Sequence, residues 1–390
     1  MKVALVCPYA PSVPGGVQAQ VLALAAVLHK RGLDVTVVAP GAYKGAAPLG
    51  SLAPAPGDDG GYSFAGIGRS VSIATNGSRA PVAPGPLAMS RTVRVLRAEH
   101  RDVVHIHEPL APGASLGALI GGPKPIVATF HRSDSDLIYR CAGRILRPLV
   151  GRIDSTVAVS EAARDTAAAV LGCRVADIGL VPNGIDLEPY LRHSRDAGAP
   201  GTTMATGRRL QVLFIGRHEE RKGLRILLEA FDHLGRTDPS LASSCRLVVV
   251  GQGPQTETLR ARAGNSGGIE WPGAVDQAEK SRLLASSDVF VAPSLRGESF
   301  GVVLLEAMAA GVAVIASDIP GYRLVAADAA QLVPPGDVPA LAGALSSLLR
   351  DPATRSRLAA AGASRALAYS IDATAESYIS LYASAVARRP

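Results

Sequence analysis

A succession of strand, glycine-containing loop, helix and strand occurs at the start of this chain and again past its middle. The first copy has apolar strands at 2–7 and 34–39 around a helix that begins near Val17. The second copy has strands at 210–215 and 246–250 around a helix at 223–234. Parallel strands need crossover helices, so this order is typical of a parallel sheet covered by helices. The repeat predicts an α/β protein with two Rossmann-like domains.

Chain length and one polar stretch suggest the domain boundary. A chain of 390 residues exceeds one ordinary domain. Residues 193–208 are small and polar, which is typical of a linker. We therefore predict an N-terminal domain at 1–195 and a C-terminal domain at 207–368. The last segment, 369–390, contains a helix that could fold back onto either domain, with the N-terminal one as our prediction.

The positive charge is concentrated in one region. The chain has a net charge of +7, and residues 60–153 alone hold 12 basic and five acidic residues. A local excess of this kind indicates one anionic partner that meets one region. Aromatic residues make up only 4%, which argues against stacking of single-stranded nucleic acid, so no nucleic-acid partner is expected.

The same region contains a predicted basic helix at 87–101. We predict that its arginines face an anionic phospholipid membrane surface, where basic residues bind electrostatically. The predicted surface residues are Arg91, Arg94, Arg97 and Arg101. The alternative is an ordinary solvated arginine face.

Cysteine spacing and hydropathy favour a cytoplasmic location. The four cysteines include no CxxC pair, so a disulfide framework or a zinc site is not expected. The N-terminus is a poor match to a secretory signal, and no run approaches the roughly 18 apolar residues of a membrane span.

Two glutamates form the sharpest motif. Glu298 lies in a glycine-flanked loop, and Glu306 lies eight positions later on the helix that follows. Both carboxylates can face the same end of a strand–helix crevice, where they would accept hydrogen bonds from sugar hydroxyls. The helix N-terminus between them would favour a phosphate. The alternative is one solvated and one helix-face glutamate.

A basic loop opens the second half of the chain. Arg217 and Lys222 lie five positions apart after the strand at 210–215. At the carboxyl end of a parallel strand, both are predicted to converge on a diphosphate. The alternative is a solvated basic loop.

Weaker candidates lie in the first half. Gly15 and Gly16 let a ligand approach the backbone at a helix N-terminus, although a plain tight turn fits as well. His131 follows a strand and could bind a sugar hydroxyl. His105 and His107 are predicted to face opposite sides of their strand, and so not to share a metal.

Asp134 and Asp136 imitate a metal-binding pair. They lack an obvious third ligand, so we predict no metal site there.

Taken together, these residues resemble the retaining GT-B glycosyltransferases, which include sucrose synthases and bacterial mannosyltransferases. The Glu298–Glu306 pair with Arg217 and Lys222 carries this likeness. The N-terminal half is more closely similar to actinobacterial phosphatidyl-myo-inositol mannosyltransferases. The similar segments are CPYAPSVPGGVQ at 7–18, NGS at 76–78, VVHIHEP at 103–109, PIVATFH at 125–131 and ILRP at 145–148.

The resemblance implies a complete description of the enzyme. It implies two Rossmann-like domains that face each other across a central cleft, mannose transfer from GDP-mannose to phosphatidyl-myo-inositol, no cofactor, and a peripheral position on the inner membrane face. The implied catalytic residues are His131, Arg217, Lys222 and Glu298. The implied donor-binding residues are Gly15, Gly16, Arg217, Lys222, Val275, Lys280, Glu298, Ser299, Phe300, Gly301 and Glu306. The implied acceptor-binding residues are Tyr9, Gln18, Asn76 and His131.

Other functions stay open at this stage. The chain departs from the family at Arg132–Asp134, where the family has small hydroxyl residues, so other acceptors remain: a soluble inositol phosphate, a diacylglycerol or a natural product. A UDP-sugar could replace GDP-mannose. A dinucleotide-dependent dehydrogenase would need a glycine fingerprint with an acidic residue about 20 positions later, and this chain has no clean one. A binding protein without catalysis is the last alternative.

Overall fold

A computed structural model describes residues 1–13, 15–41, 52–54, 61–75, 78–133, 137–196, 209–264 and 268–388. The chain forms two compact units. Unit 1 comprises Met1–Gly184 and Ile371–Pro390, and unit 2 comprises Ile185–Ser370. The division falls at Gly184, inside the segment that the sequence assigned to the first domain. Most of the predicted linker, 197–208, lies outside the described residues.

Unit 1 is built on an eight-stranded sheet of order β10-β9-β8-β7-β1-β2-β4-β3, in which only β3 is antiparallel. A separate hairpin pairs β5 with β6. The strands are β1 Lys2–Val6, β2 Asp34–Ala39, β3 Leu52–Pro54, β4 Ser63–Gly66, β5 Val71–Thr75, β6 Ser78–Val82, β7 Val103–His107, β8 Ile126–Phe130, β9 Ser155–Ala158 and β10 Gly179–Leu180. The helices are α1 Gly16–Lys30, α2 Pro86–Ala98, α3 Ala114–Gly121, α4 Leu137–Val150, α5 Glu161–Leu171 and α15 Ile371–Ala387.

The final helix, α15, belongs to unit 1. Ile371, Ala375, Tyr378 and Tyr382 are buried in the core that contains strands β1 and β2. Two tyrosines with almost no exposed surface remove a large apolar area from water, which is the main force that holds such a helix in place.

Helix α2 is shorter than predicted, and this changes the proposed basic surface. The helix ends at Ala98, so Arg101 lies in the irregular segment before β7. The Arg101 side chain turns inward: the residue is 2% exposed, and Nη1 donates to Thr36 Oγ1 at 3.0 Å. The prediction that Arg101 lies on the surface is therefore wrong.

The apolar side of α2 is covered within unit 1. A Cβ at Gly117 of α3 would lie 2.7 Å from Met89 Cα, and one at Gly121 would lie 2.6 Å from Val93 Cγ2. Glycines at both positions let the two helices approach closely. Arg94 and Arg97 of α2 remain exposed.

Unit 2 is built on a six-stranded, fully parallel sheet of order β13-β12-β11-β14-β15-β16. The strands are β11 Leu210–Ile215, β12 Cys245–Val250, β13 Ile269–Gly273, β14 Val289–Ala292, β15 Ala313–Ser317 and β16 Ala330–Val333. The helices are α6 Glu188–Asp196, α7 Leu224–Thr237, α8 Pro239–Ser243, α9 Thr256–Ala263, α10 Gln277–Ala285, α11 Val302–Ala309, α12 Pro320–Ala326, α13 Val338–Arg350 and α14 Pro352–Leu367. Within the described ranges, no helix combines the length and apolar character needed to cross a membrane.

Candidate functional site

Five charged side chains of unit 2 form one cluster beside the carboxyl ends of β11 and β14. Glu298 Oε1 lies 2.8 Å from Arg221 Nη1 and 2.6 Å from Lys222 Nζ. Glu219 is 4% exposed, and its two oxygens lie 3.1 Å from Arg217 Nε and 3.2 Å from Arg221 Nε. Three cations therefore face two carboxylates, which leaves this group with a positive excess suited to an anionic ligand.

A short turn places these cations. Glu220–Lys222 forms one 3₁₀ turn, and Gly223 closes it with a φ of +68°. A Cβ at Gly223 would lie 1.9 Å from the Pro293 carbonyl oxygen, so only glycine fits. The Leu295 N–H donates to the Arg221 carbonyl at 2.7 Å and ties the turn to the segment that carries Glu298.

The structure brings Arg221 to Glu298, which the sequence analysis did not anticipate. Lys222 Nζ lies 2.6 Å from the same Glu298 oxygen, a pairing that the sequence analysis did not predict either. Arg217 is 40% exposed at its side chain and reaches Glu219. Arg221 and Glu219 are the residues that sequence reasoning missed. The available signal was the dense charged run at 217–222, whose pairing depends on the turn.

The second glutamate of the motif has its own cation. Glu306 on α11 lies 2.6 Å from Lys280 Nζ on α10. Lys280 Nζ also lies 5.9 Å from the centroid of the Tyr190 ring. Burial raises the pKa of the Tyr190 phenol, and the Glu306 charge raises it further. Gln277 Nε2 donates to the Tyr190 hydroxyl at 2.8 Å. The carboxylate in an apolar helix is therefore paired, as its burial demands.

The loop between the two glutamates leads into α11. Gly301 precedes the helix with a φ of +93°, and a Cβ there would lie 2.9 Å from the Tyr322 ring. Phe300 is 2% exposed, and its ring contacts Tyr369 edge-on at 5.7 Å. Only the Phe300 backbone is therefore free to meet a ligand. Ser299 and the more distant Val275 are half-buried.

A cleft of about 520 Å³ opens at the carboxyl ends of β12 and β13. One aromatic residue, Trp271, and a glycine-rich loop form its walls, which suits a flat ring. Its lining residues are Gly251, Gln252, Gly253, Thr256, Glu257, Arg260, Trp271 and Gly273.

Three histidines of unit 1 lie together at the ends of β7 and β8. The ring centroids of His105 and His107 are 4.2 Å apart, and those of His107 and His131 are 5.2 Å apart. The prediction that His105 and His107 face opposite sides is wrong, because residues two apart on a strand share a face. In the part of the chain that the structure describes, no group of three or more His, Cys, Asp or Glu is arranged to hold a metal.

Buried partners hold each ring. His105 Nδ1 lies 2.7 Å from the Tyr382 hydroxyl of α15, and Nε2 lies 2.7 Å from Thr129 Oγ1. His107 Nδ1 lies 2.9 Å from His131 Nε2. Burial lowers the pKa of His105 and of His131 to about 3, and it holds the pKa of His107 well below 6.5.

Glu108 anchors the backbone of His131. Glu108 has a φ of +48°, and its Oε1 accepts the His131 N–H at 2.5 Å. Its Oε2 accepts from the Tyr139 hydroxyl at 3.1 Å. Arg132 lies over the Tyr139 ring, 4.3 Å from its centroid. Burial raises the pKa of Glu108, and the His131 N–H and the Arg132 charge oppose this. Glu108 was missed by the sequence analysis. The available signal was its position directly after strand β7.

The remaining predicted residues of unit 1 lie around the start of α1 and β6. Gly15 precedes α1, and a Cβ there would lie 2.5 Å from Gln18 Oε1. Gln18 is buried, and its Nε2 donates to the Val13 carbonyl at 3.1 Å. Gly16 is exposed and unobstructed. Tyr9 forms an isolated bridge with Val82. Asn76, Asp134 and Asp136 lie outside the described residues.

Comparisons with known proteins identify families and relatives that this chain resembles. Residues 14–189 match the model named Glycosyltransferase Family 4, and residues 204–365 match that of Glycosyl transferases group 1. The chain is 39% identical over 389 residues to the phosphatidyl-myo-inositol mannosyltransferase of Mycobacterium leprae, covering 98% of this chain and 96% of that protein. It is 40% identical to the enzyme of the same name from Mycolicibacterium smegmatis, covering 95% and 90%.

A solved structure supports the fold. Sucrose-phosphate synthase from Thermosynechococcus elongatus matches with a TM-score of 0.75 at 20% identity, over 100% of both chains. Together with the two sheets of parallel strands, this similarity confirms the predicted GT-B class of α/β fold.

The neutral histidine group predicts acid-sensitive stability of unit 1. An unfolded histidine titrates near pH 6.5, whereas the folded rings resist protonation down to about pH 3. The stabilisation is complete above pH 6.5 and is lost as the pH falls towards 3. At pH 5 the loss is about 2 kcal/mol per histidine.

Hydrogen exchange of β7 and β8 amides between pH 7.5 and 5, corrected for intrinsic exchange rates, measures this effect. Glu108 opposes it in part, because protonation of a carboxyl with a raised pKa favours the folded state. Unchanged protection across this range would contradict neutral burial of the three rings.

Proposed function

We infer the function from one premise, which is that this chain belongs to the phosphatidyl-myo-inositol mannosyltransferases, a family of group 1 glycosyltransferases. The chain is a glycosyltransferase that transfers mannose to the inositol of phosphatidyl-myo-inositol. The identity of about 40% to enzymes of that name, over nearly the whole chain, carries this conclusion.

We propose GDP-mannose as the donor, with its diphosphate at the charged cluster of unit 2. The cluster has one more cation than anion, and Arg221 and Lys222 are only 16% and 18% exposed at their side chains. Partly buried cations interact more strongly with a phosphate than solvated ones. The N-terminus of α11, beside Gly301, adds backbone donors for the same charge. These groups can neutralise a diphosphate, so the proposal includes no further cofactor.

In the proposed reaction, the departing diphosphate takes the proton of the acceptor hydroxyl. The bond from the sugar to the diphosphate breaks as the inositol oxygen attacks from the same face, so the configuration is retained. Glu298 receives two cations on one oxygen, so its charge is engaged in ion pairs rather than available as a nucleophile. Stabilisation of the leaving charge by fixed donors is typically the largest catalytic contribution.

We propose that unit 1 binds the lipid at the inner face of the membrane. Arg94 and Arg97 are exposed on α2, and α4 adds exposed Arg140 and Arg144 beside Ile145, which is 75% exposed. Basic residues with an apolar neighbour suit an anionic lipid surface.

The function is tested by turnover with defined donors and acceptors. Labelled GDP-mannose, UDP-glucose and UDP-N-acetylglucosamine are each incubated with phosphatidylinositol liposomes or soluble inositol phosphate. We expect product only from GDP-mannose with the liposomes. Transfer to the soluble acceptor alone would replace the lipid in this proposal, and transfer from a UDP-sugar would replace the donor.

Removal of the Lys222 side chain tests the proposed diphosphate site. Lys222→Ala should lower kcat about a hundredfold, because the lost charge stabilises the departing diphosphate. Arg225→Ala is the matched control, since Arg225 lies just beyond on α7 and pairs with Glu229 at the surface. Turnover and GDP affinity are measured for both variants. Near-normal turnover of Lys222→Ala would remove this residue from the mechanism.

Charge removal on α2 tests the membrane surface. Changing Arg91, Arg94 and Arg97 to Ser removes about 3 kcal/mol of electrostatic attraction, or on the order of a hundredfold in affinity. Sedimentation with anionic liposomes at low salt measures this loss, and GDP binding should persist.

The matched control changes three arginines of unit 2, Arg236, Arg262 and Arg282, to Ser with the same change in net charge. Equal loss in both triple variants, or binding that salt does not weaken, would exclude α2 as the docking surface.

A further inference from the structure

His107 and His131 are joined by one hydrogen bond between ring nitrogens, which contains a single hydrogen. His107 Nδ1 and His131 Nε2 are 2.9 Å apart, a hydrogen-bond distance. Burial keeps the pKa of both rings well below neutral, so each ring carries one hydrogen at pH 7. One nitrogen of the pair must therefore donate, and the other must accept.

The far side of His107 decides the direction of this bond. His107 is fully buried, and its Nε2 has no hydrogen-bond partner among the residues that the structure describes. If His131 donated, the hydrogen of His107 would sit on Nε2 as a buried N–H without an acceptor. If His107 donates, Nε2 is only an unused acceptor. Buried N–H groups without partners are the rarer defect in proteins.

We propose that His107 is a positioning residue for the transfer reaction. His107 Nδ1 donates its hydrogen to His131 Nε2, and this bond fixes His131 as the tautomer that carries its own hydrogen on Nδ1. This inference rests on the proposed function and on the expectation from the sequence that His131 binds a sugar hydroxyl. It goes beyond that function because it states what His131 can offer to a substrate.

The surroundings restrict both rings. His105 packs against His107 and is itself bound by Tyr382 and Thr129, so helix α15 supports the group from behind. Glu108 holds the backbone N–H of His131. A ring with one fixed nitrogen and a fixed backbone has little freedom to exchange its donor and acceptor sides.

The tautomer has a chemical consequence. With Nε2 occupied as an acceptor and the hydrogen on Nδ1, His131 can donate to a hydroxyl or phosphate oxygen. It has no free nitrogen lone pair with which to remove the acceptor proton. His131 therefore orients the substrate, and the proton must go elsewhere, which fits its transfer to the departing diphosphate.

The first test does not depend on activity. Nitrogen-15 NMR of the histidine-labelled wild-type protein at pH 7.5 distinguishes the two tautomers, and the chain has only eight histidines to assign. We expect His131 and His107 both to carry the hydrogen on Nδ1, the minor form of a histidine in water. A His131 signal with the hydrogen on Nε2 would overturn the proposal.

The second test separates positioning from packing. His107→Asn keeps an N–H donor near the position of Nδ1, whereas His107→Leu keeps an apolar volume and loses the donor. We expect His107→Leu to lower kcat about a hundredfold, less than the roughly 10⁴-fold effect of a wrong tautomer in a serine-protease triad, because His131 transfers no proton. His107→Asn should recover most of that loss, and GDP affinity should stay constant in both.

The outcomes distinguish this inference from the proposed function. Equal turnover of the Asn and Leu variants would overturn the positioning role, even if mannose transfer is confirmed. If the wild-type protein transfers no mannose, the proposed function fails, and the NMR result still decides the tautomer. A His107→Leu protein that does not fold leaves the decision to the wild-type spectrum and to His107→Asn.

Discussion

A carboxylate that is taken out of water at the end of a parallel strand needs a cation or a set of hydrogen-bond donors close by, and the arrangement of both units follows from this requirement. In unit 2, Glu219 and Glu298 are almost enclosed and together engage Arg217, Arg221 and Lys222. In unit 1, Glu108 is enclosed and is satisfied by a backbone N–H and a tyrosine hydroxyl. Removal of one partner from a buried ion pair costs about 3–5 kcal/mol, so the pairing of Glu219 with Arg221 helps to hold its loop in place.

The two units meet the requirement in different ways, and the difference suits their proposed roles. Unit 2 surrounds its carboxylates with an excess of cations, which is the electrostatic environment that a diphosphate needs. Unit 1 satisfies Glu108 with a backbone N–H and a tyrosine hydroxyl, with the Arg132 charge nearby, and three uncharged histidines extend from this group to helix α15. A neutral, hydrogen-bonding surface suits sugar hydroxyls, because they offer donors and acceptors but no charge.

Much of the fold could be predicted from the chain alone. The repeated strand–helix order predicted two parallel sheets, and the final helix was expected at 369–390, where α15 spans Ile371–Ala387. The places of Lys222 and Glu298 after parallel strands predicted that each lies at the carboxyl edge of the sheet, but not that the two side chains pair. The prediction for Arg101 was wrong because periodicity does not show where a helix ends. Helix α2 ends at Ala98, three residues before Arg101, and the Arg101 side chain turns inward to Thr36. The prediction that His105 and His107 face opposite sides was wrong because side chains two positions apart on a strand lie on the same face.

The sequence by itself determined the fold class, the strand ends at which polar residues gather, and the family, because hydrophobic periodicity and motif spacing are local properties. Only the tertiary structure decided which charges pair. Arg217 and Arg221 lie four positions apart in one loop, and a single 3₁₀ turn closed by Gly223 aims Arg221 rather than Arg217 at Glu298. Likewise, the contact of His105 with Tyr382 joins residues that are 277 positions apart. Such partners are selected by packing across the sheet, and no local pattern in the chain encodes them.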